Sequence, residues 1–97
     1  MNQTVSVVAR ITSSNEHLET VTHALRQAVA ATLQEEGCEH YELFQTQGKP
    51  NELFIIERWR NEQALTAHIA APAFIALSRA LDGKAELEVT KLNSLPA

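Results

Sequence analysis

Glu57, Trp59 and His68 place a carboxylate, the only indole of the chain and an imidazole close together in "IIERWRNEQALTAHIA" (55–70). An imidazole titrates nearest to neutrality, so His68 is the candidate for proton transfer. It shares a helix face with Ala64, Leu65 and Ile69 and so points inward, where a satisfied core histidine is the competing reading. Glu57 and Trp59 are two apart, so on a strand both lie on the face of Leu53 and Ile55. A carboxylate on an apolar face costs free energy unless it is paired or hydrogen-bonded. It therefore belongs beside a polar cavity, in an ion pair with Arg10 or Arg58, or at an edge facing solvent. Trp59 reads as core or interface filler, or as the wall of a ligand pocket.

Other groups could join this set. Tyr41 shares a strand face with Leu43, which suits packing or a pocket. Glu35 and Glu36 close a long helix, where the macrodipole disfavours negative charge by roughly 0.3–1 kcal/mol each. Both are solvated, or one turns inward to orient an amide or a side chain. Cys38, the single cysteine, has no evident base partner and reads as a buried or half-buried thiol. His17 and His23 are six apart and do not share a helix face. Cys38 and His40 share a strand face, but two ligands are too few for zinc. Gly37, Gly48 and Gly83 are isolated, so there is no phosphate-cradling loop and no haem or flavin signature. No metal and no cofactor is expected.

The elements that must position these groups follow from pattern. "TVSVVARIT" (4–12) is rich in β-branched residues and reads as a strand. From 13 to 37, Leu18, Val21, Leu25, Ala28, Val29 and Thr32 form one helical stripe. Ser13 and Glu16 have capping-box spacing, and Gly37 stands where a helix-ending residue with positive φ belongs. "CEHYELFQTQ" (38–47) alternates as a strand, "GKPNE" (48–52) has turn composition, and "LFIIERWR" (53–60) pairs back as a hairpin. Asn61 can cap a short helix to about Ile69, and Pro72 can start another that ends at "DG". "KAELEVTKL" (84–92) is a last strand, with Ala85, Leu87 and Val89 inward.

Strand, helix, strand, strand, helix, strand is the α+β, ferredoxin-like βαββαβ plan, filling one domain over 1–97 with a core at about 4–92. In that plan the first and third strands are central and should be apolar on both faces. Val5, Val7, Ala9 and Ile11 oppose Val8, and Leu53 and Ile55 oppose Phe54 and Ile56. Helices cover only one face of such a sheet, so the other should pack against a second copy. A homodimer joined sheet to sheet, a dimeric α+β barrel, is expected.

The composition is that of a folded globular chain, 44% apolar and 21% charged. A formal charge of −4 without a basic run argues against nucleic acid as partner. No apolar run reaches the ~18 residues of a membrane span. "MNQTVSVVAR" does not read as a signal peptide, and with one cysteine the expected location is the cytoplasm.

"EEGCEHYELFQ", "LFIIERW" and "NEQALTAHIAAPAF", at these intervals, resemble the antibiotic biosynthesis monooxygenase domain over roughly residues 5–81. The matching positions are Glu35 or Glu36 with Gly37, then Tyr41, Glu57, Trp59 and His68. The resemblance implies a dimeric α+β barrel and, in some members, oxidation of quinols or aromatic polyketides by molecular oxygen without metal or flavin. On that basis His68 would accept a proton, Trp59 would stack on the ring or stabilise intermediates, and Tyr41 or Arg58 would orient oxygens. Glu57, Arg58 and Glu36 are the expected substrate contacts. Ala73 stands where many members carry a second histidine, and Ile55 where the polyketide-oxidising type has asparagine. "FIALSRALDG" has no histidine of the kind haem-degrading relatives need.

The expected function is thus a cofactor-independent monooxygenase of a small quinol-like or polycyclic aromatic substrate. Two other classes stand beside it. One is an isomerase of a small phosphorylated sugar-like signal, which would need cations such as Arg10, Arg58, Arg60 or Lys49 near the pocket. The other is a non-catalytic ligand-binding dimer.

Overall fold

The β-branched run near the N-terminus forms β1 (Val5–Ser13), and a single 3-10 turn, Asn15–His17, leads into α1 (Leu18–Thr32). Then come β2 (Cys38–Thr46), β3 (Lys49–Trp59), α2 (Glu62–Ile69), α3 (Pro72–Leu81) and β4 (Ala85–Leu92). These elements are taken from a computed structural model that describes residues 3–97. The sheet is antiparallel throughout, in the order β2-β3-β1-β4, which is the ferredoxin-like arrangement. The two strands that are apolar on both faces are indeed the central pair.

Strand register sorts the side chains. Val7 is opposite Glu57, Ala9 opposite Ile55 and Ile11 opposite Leu53, all on the face that the helices cover. This face packs against Val21, Leu25 and Ala28 of α1, Leu65 of α2, and Leu77 and Leu81 of α3. Full burial of each large aliphatic side chain contributes roughly 1.5–3 kcal/mol, so this layer dominates stability. On the opposite face Val8, Ile56, Phe54 and Phe44 follow one another across the register. Phe44 and Ile56 there are 44% and 42% exposed, an apolar face left open by the helices.

Local chemistry sets the ends of the elements. Asn61 caps α2 by accepting a hydrogen bond from the Ala64 amide at 2.9 Å, and Pro72 opens α3 in its first turn. The capping box does not form. Ser13 still belongs to β1, and its hydroxyl donates to the Ser14 carbonyl, so α1 starts later, from the 3-10 turn. The hairpin is tighter than its turn-like composition suggests. Thr46 pairs with Lys49, so Gln47 and Gly48 make the turn, and β3 begins four residues earlier than expected. Gly48 supplies the φ of 81° that this turn requires. Pro50 is tolerated because the pairing with β1 begins only at Glu52, so no ladder donor is missed there.

A register shift between Cys38 and His40 marks a bulge in β2. Cys38 lies opposite the inward Trp59, and His40 opposite the outward Arg58, so they do not share a face as simple alternation implied. At the other edge, β4 keeps the expected alternation, but Val89 is 50% exposed because no helix reaches over it.

Candidate active site

β3 delivers Glu57 and Trp59 to the helix side of the sheet, and β2 delivers Tyr41 directly opposite Glu57. α2 crosses above them and turns His68 down onto the same spot, as its apolar helix face requires. All four side chains are buried: Trp59 is fully enclosed, and His68, Tyr41 and Glu57 are 3%, 4% and 6% exposed. The imidazole lies over the indole with ring centroids 4.5 Å apart and planes tilted by 31°. Tyr41 meets it edge-on at 5.5 Å, and Phe74 of α3 does so from the other side at 5.4 Å. Aromatic walls on three sides fix the ring.

Hydrogen bonds complete the arrangement. The Trp59 indole donates from Nε1 to Glu57 Oε1 at 2.9 Å, which answers the question of what pairs the buried carboxylate. It is neither Arg10 nor Arg58. Arg10 holds Glu52 at 2.9 Å and Arg58 holds Glu39 at 3.0 Å, both on the opposite face. Burial pushes the Glu57 carboxyl above its ordinary range, while the indole hydrogen bond and His68 work against the rise. Burial likewise pushes the Tyr41 phenol well up, with the Glu57 carboxylate adding to it. Tyr41 is therefore a phenol, a hydrogen-bond donor, across the physiological range.

Glu35 Oε1 lies 2.9 Å from His68 Nδ1. A carboxylate can only accept, so Nδ1 carries a proton, and in the neutral imidazole Nε2 is the nitrogen with the free lone pair. Gly37 makes this pairing possible. It adopts φ 84°, and a Cβ at that position would sit 2.5 Å from the Ala64 Cβ of α2. The absence of that carbon lets the loop after α1 press against α2, which brings Glu35 under His68.

In front of these groups lies a cavity of about 150 Å³ between the sheet, α2 and α3. Val7, Ala9 and Ile55 form its floor and Leu65, Leu77 and Leu87 its sides, with Tyr41, Glu57 and His68 contributing the polar groups. Ala9 matters most, because any larger residue on the floor would fill the space. An apolar cavity of this size accommodates about one benzene ring. Its mouth passes Ile69, Phe74, Val89 and Lys91. A larger depression of about 560 Å³ over α1, at Glu19, Thr20, Thr22, His23 and Arg26, is remote from all of these groups.

Of the residues expected from sequence, the structure brings together His68, Tyr41, Glu57 and Trp59. Trp59 does not line the cavity: it sits behind His68 and holds Glu57. Arg58 and Glu36 stand elsewhere, Arg58 on the outer face and Glu36 in solvent, 3.6 Å from Arg60. Of the two adjacent glutamates it is Glu35 that turns inward. Phe74 and Lys91 are additions that sequence reasoning missed. Phe74 was hidden in a generally apolar helix. Lys91 keeps the inward parity of Ala85, Leu87 and Val89, and that parity was the available signal. Cys38 is half-buried, and burial followed by the nearby Glu35 carboxylate pushes its thiol up, so it is not a thiolate nucleophile. Among the described residues no three histidine, cysteine or acidic side chains converge, and no single helix is long and apolar enough to cross a membrane.

Fold and site together define a small ferredoxin-like α+β domain with an imidazole–carboxylate pair at the wall of an apolar cavity. Residues 4–80 match the family model for antibiotic biosynthesis monooxygenase, so the chain belongs to that family. Solved structures agree. The chain is similar to PA3566 from Pseudomonas aeruginosa, at 29% identity and TM-score 0.92 over 99% of this chain and 98% of that one. A structure described as an antibiotic biosynthesis monooxygenase aligns at 28% identity and TM-score 0.89, over 95% and 99% of the two chains. Rv0793 from Mycobacterium tuberculosis aligns at 25% identity and TM-score 0.90, over 98% of both. Among curated proteins none matches.

Proposed function

We propose that the protein is a cofactor-independent monooxygenase that oxidises a single-ring quinol with molecular oxygen. The observation that carries this reading is the Glu35–His68 pair at the wall of an apolar, ring-sized cavity. His68 Nε2 accepts the proton of a substrate hydroxyl, and Glu35 stabilises the imidazolium that forms. Tyr41 donates a hydrogen bond to the same oxygen. Without water around it, the resulting anion is a strong electron donor, and dioxygen partitions readily into such an apolar space. The anion gives an electron to dioxygen, and the radical pair joins to form a C–O bond at a ring carbon. Loss of water then leaves a hydroxylated quinone. For the simplest substrate, 1,4-dihydroxybenzene and dioxygen give hydroxybenzoquinone and water. One oxygen atom enters the ring and the other leaves as water, with all four electrons supplied by the substrate.

The cavity size favours one ring over a polycycle, part of which would have to stand in solvent. Its aliphatic lining favours a ring over a phosphorylated sugar. The test is oxygen uptake with substituted 1,4-dihydroxybenzenes, with quinone formation followed by absorbance. Turnover that proceeds equally without oxygen would replace this reading with an isomerase, and binding without turnover would replace it with a carrier.

The proposal includes a homodimer joined through the outer sheet face. Val8, Phe44, Phe54 and Ile56 form an apolar band there, and a second sheet packed against it would remove that band from water.

A further inference from the structure

Among the described residues Lys91 brings the one ammonium group to the lining of the cavity, and it stands at the mouth. Register puts it in the same row as the catalytic groups: Lys91 is opposite Val7 on β1, and Val7 is opposite Glu57 on β3. Two strand spacings separate Lys91 from Glu57, about 10 Å between backbones. The ammonium pairs with Glu62 in the first turn of α2, six residues before His68. Six residues of helix rise span about 9 Å. Backbone spacing across the sheet and along α2 thus puts the Lys91–Glu62 end of the cavity about 9–10 Å from its Glu57 and His68 end, room for one substituted benzene ring. Both members of the Lys91–Glu62 pair are more than half exposed, so this ion pair is weak and readily exchanged.

We propose that Lys91 is a specificity residue: it selects quinols that carry a carboxylate meta to the reacting hydroxyl, the farthest position that a 1,4-quinol leaves free. This rests on the quinol reading of the same site. On binding, the ligand carboxylate takes the place of Glu62 beside the Lys91 ammonium, while the hydroxyl reaches His68. Glu62 is released into solvent, where it stays hydrated. Elsewhere the wall is aliphatic or aromatic, except for Glu57, which repels a second carboxylate. An anionic substituent is therefore accepted in one orientation only, with the hydroxyl inward.

The test compares 2,5-dihydroxybenzoate with uncharged 1,4-dihydroxybenzene on the full-length protein under anaerobic conditions, with binding read from Trp59 fluorescence. The wild type should bind the carboxylated compound about fivefold more tightly, the scale of one exposed charge pair. Lys91→Met should abolish that preference, while Lys91→Arg should keep it. Glu62→Gln, which frees the ammonium, should enlarge it, and 1 M salt should shrink it. A preference that survives in Lys91→Met, or a wild type that favours the uncharged quinol, overturns the proposal. If the wild type binds both compounds equally and, once oxygen is admitted, oxidises both, the specificity role fails while the quinol reading stands. If it binds neither, both fail.

Discussion

His68 Nδ1 lies 2.9 Å from Glu35 Oε1, although the two residues are 33 positions apart. This contact settles the tautomer of the imidazole, because a carboxylate accepts a hydrogen bond and cannot supply one. Removing either member should therefore slow turnover more than it weakens binding. His68→Gln, which preserves most of the ring's volume, should lower kcat with a quinol by about 10²- to 10⁴-fold. Glu35→Gln should lower it by about 10²-fold, with KM nearly unchanged, because the imidazolium loses its partner. Steady-state kinetics on both variants checks this, and full activity in Glu35→Gln would remove the positioning role.

Gly37 should be far less replaceable than Gly48, although both have similar positive φ. At Gly48 an added Cβ meets nothing within 4 Å, whereas at Gly37 it meets the Ala64 Cβ at 2.5 Å. Gly48→Ala should cost only the left-handed backbone penalty, about 1–2 kcal/mol. Gly37→Ala should cost more than that in urea denaturation and should also reduce turnover, because the Glu35 loop is pushed away from α2.

The chain has one tyrosine, so ultraviolet titration of phenolate reports Tyr41 alone. An ordinary phenol is half ionised at pH 10. Here burial and the Glu57 carboxylate raise the folded value, so little phenolate should be present at pH 10 while the protein stays folded. Because the raised value belongs to the folded state, stability is full below pH 10 and falls as the pH rises beyond it. Phenolate absorbance should appear together with loss of the folded circular dichroism signal. Phenolate at pH 10 in folded protein would contradict the burial argument.

Glu57 obeys the same sign at the acid end. Its folded value is raised above the ordinary 4.5 of a glutamate, so the ionised form is the one the fold disfavours. Stability should therefore be greatest below pH 4.5 as far as this group is concerned, and should decline as the pH rises through the folded value. Glu57→Gln keeps an oxygen for the Trp59 indole and removes the charge. Its stability relative to wild type should grow as the pH rises from 4 to 7 in paired denaturation curves. A difference that does not vary with pH would refute this.

On the outer sheet face, Ile56→Glu should shift the protein from dimer to monomer in sedimentation equilibrium at micromolar concentration. A charge in the middle of an apolar interface is left desolvated and unpaired. A wild type that sediments as a monomer of about 10.7 kDa would dismiss the proposed dimer directly.

Much of this protein was legible in its residues. Period-two and helical patterning located every strand and helix, and the apolar lead-in "LFII" marked β3 as central before any pairing was known. The inward parity of Glu57, Trp59 and His68 followed from local geometry, while their grouping as a pocket wall rested more on the family resemblance. The capping box failed because β1 continued one residue further and took Ser13 with it. The faces of Cys38 and His40 failed because a bulge, which leaves no mark in alternation, changes parity.

The sequence by itself determined the topology and the side of the sheet on which Tyr41, Glu57 and Trp59 lie, because backbone periodicity ties position to direction. Only the tertiary structure decided which groups meet. Glu35 rather than Glu36 reaches His68, because Gly37 lets the loop close on α2. Trp59 holds Glu57 instead of facing the cavity, because α2 lays the imidazole across it. Lys91 becomes the mouth of the cavity because β4 emerges from under the helices there. Each of these turns on a distance between segments far apart in the chain, and packing, not local propensity, sets such distances.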